Sequence, residues 1–156
     1  VNTYRFEPFE ESRDLERVLG WLVETKQLVG IEVDVSFERE EYFKAMRTVQ
    51  SRDREFCSML LLNNRQVGYV SAFPMKKHPE NAWLDFCYLV PEVRGTEASG
   101  LVADRINRMA ADNDCKAIYL TVHRKNSRAV RFYEKNGWKL DKLKDNEFQR
   151  MKKTLT

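Results

Sequence analysis

A chain of 156 residues with 42% apolar and 33% charged side chains suits one soluble globular domain with a proper core, and no apolar run approaches transmembrane length. The 27 Lys and Arg against 24 Asp and Glu leave a net charge of +3, too small to argue for nucleic acid, and the bases read as interleaved with acids. Cys57, Cys87 and Cys115 are odd in number and widely spaced, which argues against a disulfide scaffold or a CxxC metal site; His78 and His123 have no ligand spacing between them. No metal is expected. No signal peptide opens the chain, so a reducing cytoplasm is the expected compartment.

Residues 3–9 alternate around Tyr4 and Phe6 as a first strand. Ser12 is expected to cap a helix with Leu15, Val18, Leu19, Leu22 and Val23 on one face. Residues 29–35 read as a loop. Ser36 is expected to cap a second helix with Tyr42, Phe43, Met46 and Val49 inward. Residues 56–62 and 66–73 form a hairpin about Asn63-Asn64, since asparagine tolerates the left-handed region. Residues 74–81 are a loop. After residue 115, a buried strand (116–123) precedes a helix capped by Asn126 and closed by Gly137, then two strands at 138–143 and 148–155. Cys57 and Cys87 read as small buried hydrophobes. There is no linker or repeat, so residues 1–156 are expected to form a single domain.

The stretch from Trp83 to Val102 organises the rest. Leu84, Phe86, Cys87, Tyr88, Leu89 and Val90 form a nearly continuous apolar strand, stopped by Pro91. Gly95 and Gly100 allow tight turns, and a helix opens near Ser99. A strand feeding a loop that opens a helix aims unpaired N–H groups and partial positive charge at one spot, which suits phosphate.

The segment LVPEVRGTEAS resembles the acetyl-CoA signature of the GNAT superfamily of N-acetyltransferases, Arg/Gln-x-x-Gly-x-Gly/Ala. Arg94 and Gly95 match, whereas Glu97 stands at the usual central glycine and Ser99 at glycine or alanine. NSRAVRFYEKNGW, from Asn126 to Trp138, is similar to the family segment N-x-x-A-x-x-x-Y-E-K-x-G-F, with Trp138 in place of phenylalanine. The resemblance covers roughly residues 56–155. It implies an α/β (α+β) fold: a mixed, mostly antiparallel central sheet with a splayed parallel strand pair and helices on both faces.

The resemblance also implies acetyl transfer from acetyl-CoA, as co-substrate, to a primary amine of a small molecule or peptide. Leu89 and Val90 would meet the pantetheine arm. Backbone N–H groups of Gly95, Thr96, Glu97, Ala98, Ser99 and Gly100 would hold the diphosphate. Arg94 would add charge, or else form a solvent salt bridge. Asn126 would cap its helix at the site, and Tyr133 would be the general acid for the departing thiolate. Asp85 is the candidate base, its burial raising its pKa, or else an acid satisfied by a neighbouring strand or binding the amine cation. Where other relatives carry a glutamate on the next strand this chain has Thr121, so that route is absent unless His123 substitutes for it, and otherwise His123 reads as a surface histidine. Glu32, Asp34, Glu38, Glu40 and Glu41 form either an acidic rim for a cationic acceptor or a solvated helix face. A homodimer is in keeping with the resemblance. Two other readings compete: a degenerate binding module with a weakened CoA site, on the evidence of Glu97 and Ser99, and a transferase acting on aminoacyl-tRNA or a ribosomal protein, which needs a basic face.

Overall fold

The computed structural model describes residues 1–155. Its elements are β1 (Tyr4–Pro8), α1 (Glu11–Leu28), α2 (Val35–Arg52), β2 (Cys57–Leu62), β3 (Arg65–Pro74), β4 (Asn81–Leu89), α3 (Glu97–Asp112), β5 (Ala117–His123), α4 (Ser127–Lys135), β6 (Lys139–Leu143) and β7 (Phe148–Thr154). The strands form a seven-stranded sheet in the order β1-β2-β3-β4-β5-β7-β6. β4 and β5 are parallel, and the pairs β1/β2, β2/β3, β5/β7 and β6/β7 are antiparallel. This is the mixed, mostly antiparallel sheet expected. No helix is long and apolar enough to cross a membrane among the described residues. The chain divides into two compact units, Val1–Ser71 with Phe86–Ser99, and Ala72–Asp85 with Gly100–Thr156.

In the first unit, β2 and β3 are joined by Asn63 (φ 50°) and Asn64 (φ 68°), the two left-handed residues that a tight hairpin with right-twisted strands requires. Val18, Leu19, Met46, Met59, Leu60 and Val67 fill the core around Tyr69, whose ring is fully buried. Its phenol is paired with the Tyr42 hydroxyl at 2.6 Å, so the polar tip is not stranded. Both helix starts differ from expectation. α2 is capped by Asp34, whose Oδ1 accepts from the Phe37 amide at 3.1 Å, and Ser36 lies inside the first turn. α1 has Glu10 at its N-cap with no side-chain cap. Instead the fully buried Asp14 reaches back to accept the Glu10 amide at 2.9 Å. It also accepts from Arg13 Nε at 2.8 Å and Gln66 Nε2 at 2.6 Å, which ties α1 to β3. Ser12 is two residues too late to cap this start.

β3 and β4 come unusually close in this unit. A Cβ on Gly68 would lie 2.8 Å from the Tyr88 carbonyl oxygen and 2.8 Å from Leu89 Cδ2. The Val90 amide donates to the Val67 carbonyl at 2.9 Å just beyond. These two features fix the end of β4, from which the expected phosphate loop departs.

In the second unit, the β4/β5 ladder covers Asn81↔Ala117, Ala82↔Ile118 and Trp83↔Tyr119. β5 continues to His123, paired with β7 along its other edge. Ile118, Leu120 and Met151 are buried with Val102, Ile106 and Ala110 of α3, which recur at helical spacing. α4 ends in a complete Schellman arrangement: the Gly137 amide bonds the Glu134 carbonyl, and the Trp138 amide bonds the Tyr133 carbonyl at 3.0 Å. Gly137, at φ 92°, supplies the left-handed residue this needs. Cys57 is buried as expected, whereas Cys87 is only half-buried.

Candidate active site

The first unit holds the loop from Val90 to Ser99. Pro91 opens a short 3₁₀ turn, Pro91–Val93, and Gly95 takes φ 72°, so the chain reverses before α3. Thr96 starts that helix. Its Oγ1 donates to the Val93 carbonyl at 2.6 Å and accepts from the Ala98 amide at 3.3 Å. The Ser99 amide turns back to the Thr96 carbonyl at 3.1 Å, while the amides of Gly95 and Glu97 find no backbone acceptor among the described residues. A Cβ at Gly95 or Gly100 would meet nothing within 4 Å. The mouth of α3 is therefore open, with N–H groups to spare, and suits an anion. Glu97 is exposed, Ala98 buried and Ser99 half-buried.

Arg94 does not form the solvent salt bridge that was one alternative. Its Nε donates to the Leu89 carbonyl at 2.8 Å, and its guanidinium carbon lies 5.2 Å from the Tyr88 ring centroid. The Leu89 carbonyl, and the Val90 amide bonded to Val67, are thus already engaged within the protein.

Tyr88 is the centre of a second feature of this unit. Trp21 of α1 stacks on it at 4.9 Å and 16°, and its hydroxyl donates to the exposed Glu24 carboxylate. Burial, then the bond to Glu24 and its charge, push the Tyr88 phenol up to about 12, against a smaller downward pull from Arg94. The group is a permanent donor at neutral pH. Of the acidic rim expected from sequence, Glu38 is bound to Lys26 at 2.5 Å and Asp34 is spent on the α2 cap. Glu32, Glu40 and Glu41 are exposed.

The second unit holds Asn126, Tyr133 and Asp85. Asn126 caps α4 as expected, its Oδ1 accepting from the Ala129 amide at 3.3 Å. Tyr133 is buried, with the Phe132 ring edge-on at 5.5 Å and the Trp138 ring tilted at 5.7 Å. Asp85 is exposed. The burial that made it a candidate base is absent, because its side of β4 is open at that residue. His123 is buried and not a surface histidine: Phe148, opposite it on β7, packs edge-on at 5.0 Å. Its Nδ1 accepts the Lys125 amide at 3.1 Å, which in the neutral ring leaves Nε2 as the protonated nitrogen. The Thr121 hydroxyl oxygen is buried with no hydrogen-bond partner. No group of three His, Cys, Asp or Glu able to hold a metal ion occurs among the described residues.

A model of the acetyltransferase (GNAT) family matches residues 12–138. This chain belongs to the GNAT family. An uncharacterized N-acetyltransferase of Mycobacterium tuberculosis is 34% identical over 79 residues, 51% of this chain and 49% of that protein. A Mycobacterium bovis protein of the same description matches equally. The chain thus spans about half the length of the curated relatives it matches. Solved structures share the fold at low identity. An acetyltransferase from Streptococcus agalactiae superposes with a TM-score of 0.79 at 17% identity, covering 97% of this chain and 98% of that one. PaiA N-acetyltransferase from Thermoplasma acidophilum, solved in complex with coenzyme A, gives 0.77 at 18%, covering 98% and 99%. Arabidopsis thaliana Naa50, in complex with the bisubstrate analogue CoA-Ac-MVNAL, gives 0.69 at 15%, covering 97% and 99%.

Within the GNAT frame the sequence missed Trp21 and Glu24. Both lie on α1, where the helical stripe explains Leu15, Val18 and Leu19 and treats its neighbours as surface. The signal available was a Trp and a Glu three residues apart, which share one helix face.

Proposed function

We propose that the chain is an acetyl-CoA-dependent N-acetyltransferase acting on a primary amine of a small molecule or peptide. The observation that carries this is the open, Thr96-capped mouth of α3 in a GNAT chain, with the Gly95 and Glu97 amides unbonded to backbone. The diphosphate is assigned to the backbone of residues 95–100, where the glycines leave room. Arg94 acts here as a brace: it fixes the end of β4 through Leu89 and Tyr88.

Transfer needs the amine nitrogen to attack the thioester carbonyl, the carbon–sulfur bond to break, and the sulfur to gain a proton. Tyr133 is assigned that proton. Its ring packs against Phe132 and Trp138, which orients the phenol without a mobile side chain. Asp85 is assigned the proton lost by the amine; being exposed, it passes that proton to solvent. The acceptor is a cationic amine. Glu24, with the Trp21–Tyr88 stack beside it, offers a carboxylate and aromatic surface of the kind an ammonium group favours. The three cysteines are free, which fits a reducing compartment and a cytoplasmic reaction.

Thermal unfolding with and without acetyl-CoA tests the donor site. Ligand at a hundred times its dissociation constant stabilises the native state by about 2.7 kcal/mol, a midpoint shift of a few degrees. No shift in a folded protein favours a degenerate binding module, for which the exposed carboxylate of Glu97 at the loop is the specific observation. With donor binding established, Tyr133→Phe is expected to lower turnover of a polyamine or peptide amine by roughly 10²-fold. Thiol release at the wild-type rate in that variant rejects Tyr133 as the acid.

A further inference from the structure

We propose that one face of the β5–β7–β6 sheet binds single-stranded RNA through its phosphodiester backbone. The net charge of +3 hides a steep gradient. Residues 116–156 carry twelve Lys and Arg against four Asp and Glu, a net charge of +8. The expectation that the bases are interleaved with acids holds for the earlier part of the chain and fails there. Register shows where some of these cations go. Lys139 of β6 is opposite Lys152 of β7, and Lys152 is opposite Tyr119 of β5. Lys142 is opposite Arg150, which is opposite Thr121. Directly opposed residues share a sheet face, so Lys139, Lys142, Arg150, Lys152 and Tyr119 stand together on one surface.

Like charges set opposite one another across a ladder destabilise it, so this pattern is costly to folding unless something else uses it. Arg150 is paired with an acid, Asp141 at 2.6 Å. The Arg150 guanidinium and the Lys152 ammonium lie over the Tyr119 ring, at 4.9 and 5.4 Å from its centroid. Arg150 and Lys152 are thereby held against the sheet. Rows across three strands are about 4.8 Å apart and alternate residues along a strand about 7 Å apart, a shallow grid of positive charge. A charged surface with an aromatic and a planar guanidinium is the form that tracks a flexible polyanion whose bases stack. Lipid fits less well. The exposed Leu140 and Leu143 that would insert into a bilayer are opposite Met151 and Gln149, on the other face.

This inference stands apart from the acetyl-transfer reading, since none of these side chains is assigned to the donor or acceptor. The test is fluorescence anisotropy of a labelled oligouridylate across a salt series. Contacts from the three lysines give log K a slope of about −2 against log salt for a single strand. Lys139→Ala/Lys142→Ala/Lys152→Ala is expected to abolish most of that slope and weaken low-salt binding by roughly tenfold or more, with the unfolding midpoint kept or raised and the acetyl-CoA shift kept. The triple Lys→Arg variant keeps the slope. An Arg128→Ala/Arg131→Ala variant, altered on α4 only, binds as the parent does. No RNA binding at low salt overturns the proposal, as does loss through the α4 pair with the lysine variant unaffected. Displacement of RNA by polyglutamate as readily as by unlabelled RNA identifies an acidic protein as the partner and overturns it equally.

Discussion

Tyr88 is where burial, charge and packing meet on one side chain. Its phenol is pushed up to about 12, against about 10 for a free tyrosine. The folded state holds this proton more tightly than the unfolded state. Its stabilising effect is therefore complete below about pH 10 and is lost as pH rises through 12. Ultraviolet difference titration of the native protein should show one tyrosine ionising near pH 12 that Tyr88→Phe lacks. Ionisation of Tyr88 near pH 10 would mean that Glu24 does not hold it. Asp14 makes a second residue-level case, as a fully buried carboxylate with acceptor bonds from the Glu10 amide, Arg13 and Gln66. Asp14→Ala strands the buried donors and should cost about 1–3 kcal/mol in urea unfolding. Neither role was readable beforehand. Asp14 and Glu24 are two of several acids on one amphipathic helix, and only the strands packed on that helix decide which are covered.

Elements were more legible than their ends. The hydrophobic periods place the helices and the buried strands, because burial of one face sets the period wherever an element packs, whereas β6 is exposed along its whole length. Caps depend on the dihedral angles of a single residue at the entrance. Asn126 was recognisable because Gly137 marks the other end of α4. Asp34 and Ser36 are both good caps two residues apart, and the extended backbone at Asp34 chooses between them. Asn126→Ala should lower stability by about 1 kcal/mol through loss of the bond from Ala129. A stronger effect is expected between strands. Gly68→Ala places a methyl 2.8 Å from the Tyr88 carbonyl oxygen, a backbone atom. It should cost about 1–3 kcal/mol and weaken acetyl-CoA binding by shifting the end of β4. A fully stable Gly68→Ala protein would mean that β3 and β4 separate there without penalty.

For the whole molecule, the mixed sheet with its splayed parallel pair came from resemblance and not from periodicity, since a pattern of buried faces is blind to which strand lies beside which. Only the expected burial of Asp85 failed, and for the same reason: the surrounding apolar run says that β4 is central, but not which of its side chains are covered. Charge shows the converse. Residues 1–56 hold thirteen acids and nine bases, and the excess of bases lies near the other end, so a whole-chain total of +3 describes neither.

The position of β7 between β5 and β6 carries a consequence for how the protein is made. A ribosome delivers β6 before β7, yet β6 has no partner until β7 arrives. Its exposed Leu140 and Leu143 then wait as an unpaired strand for as long as synthesis of those next residues takes. The β6–β7 hairpin closes locally and adds to β5 as a ready-made pair, so this half of the sheet is completed only once Thr154 has left the ribosome. A nascent chain arrested just after residue 143 should be cleaved by protease in β6, and one arrested late enough to free Thr154 from the exit tunnel should resist.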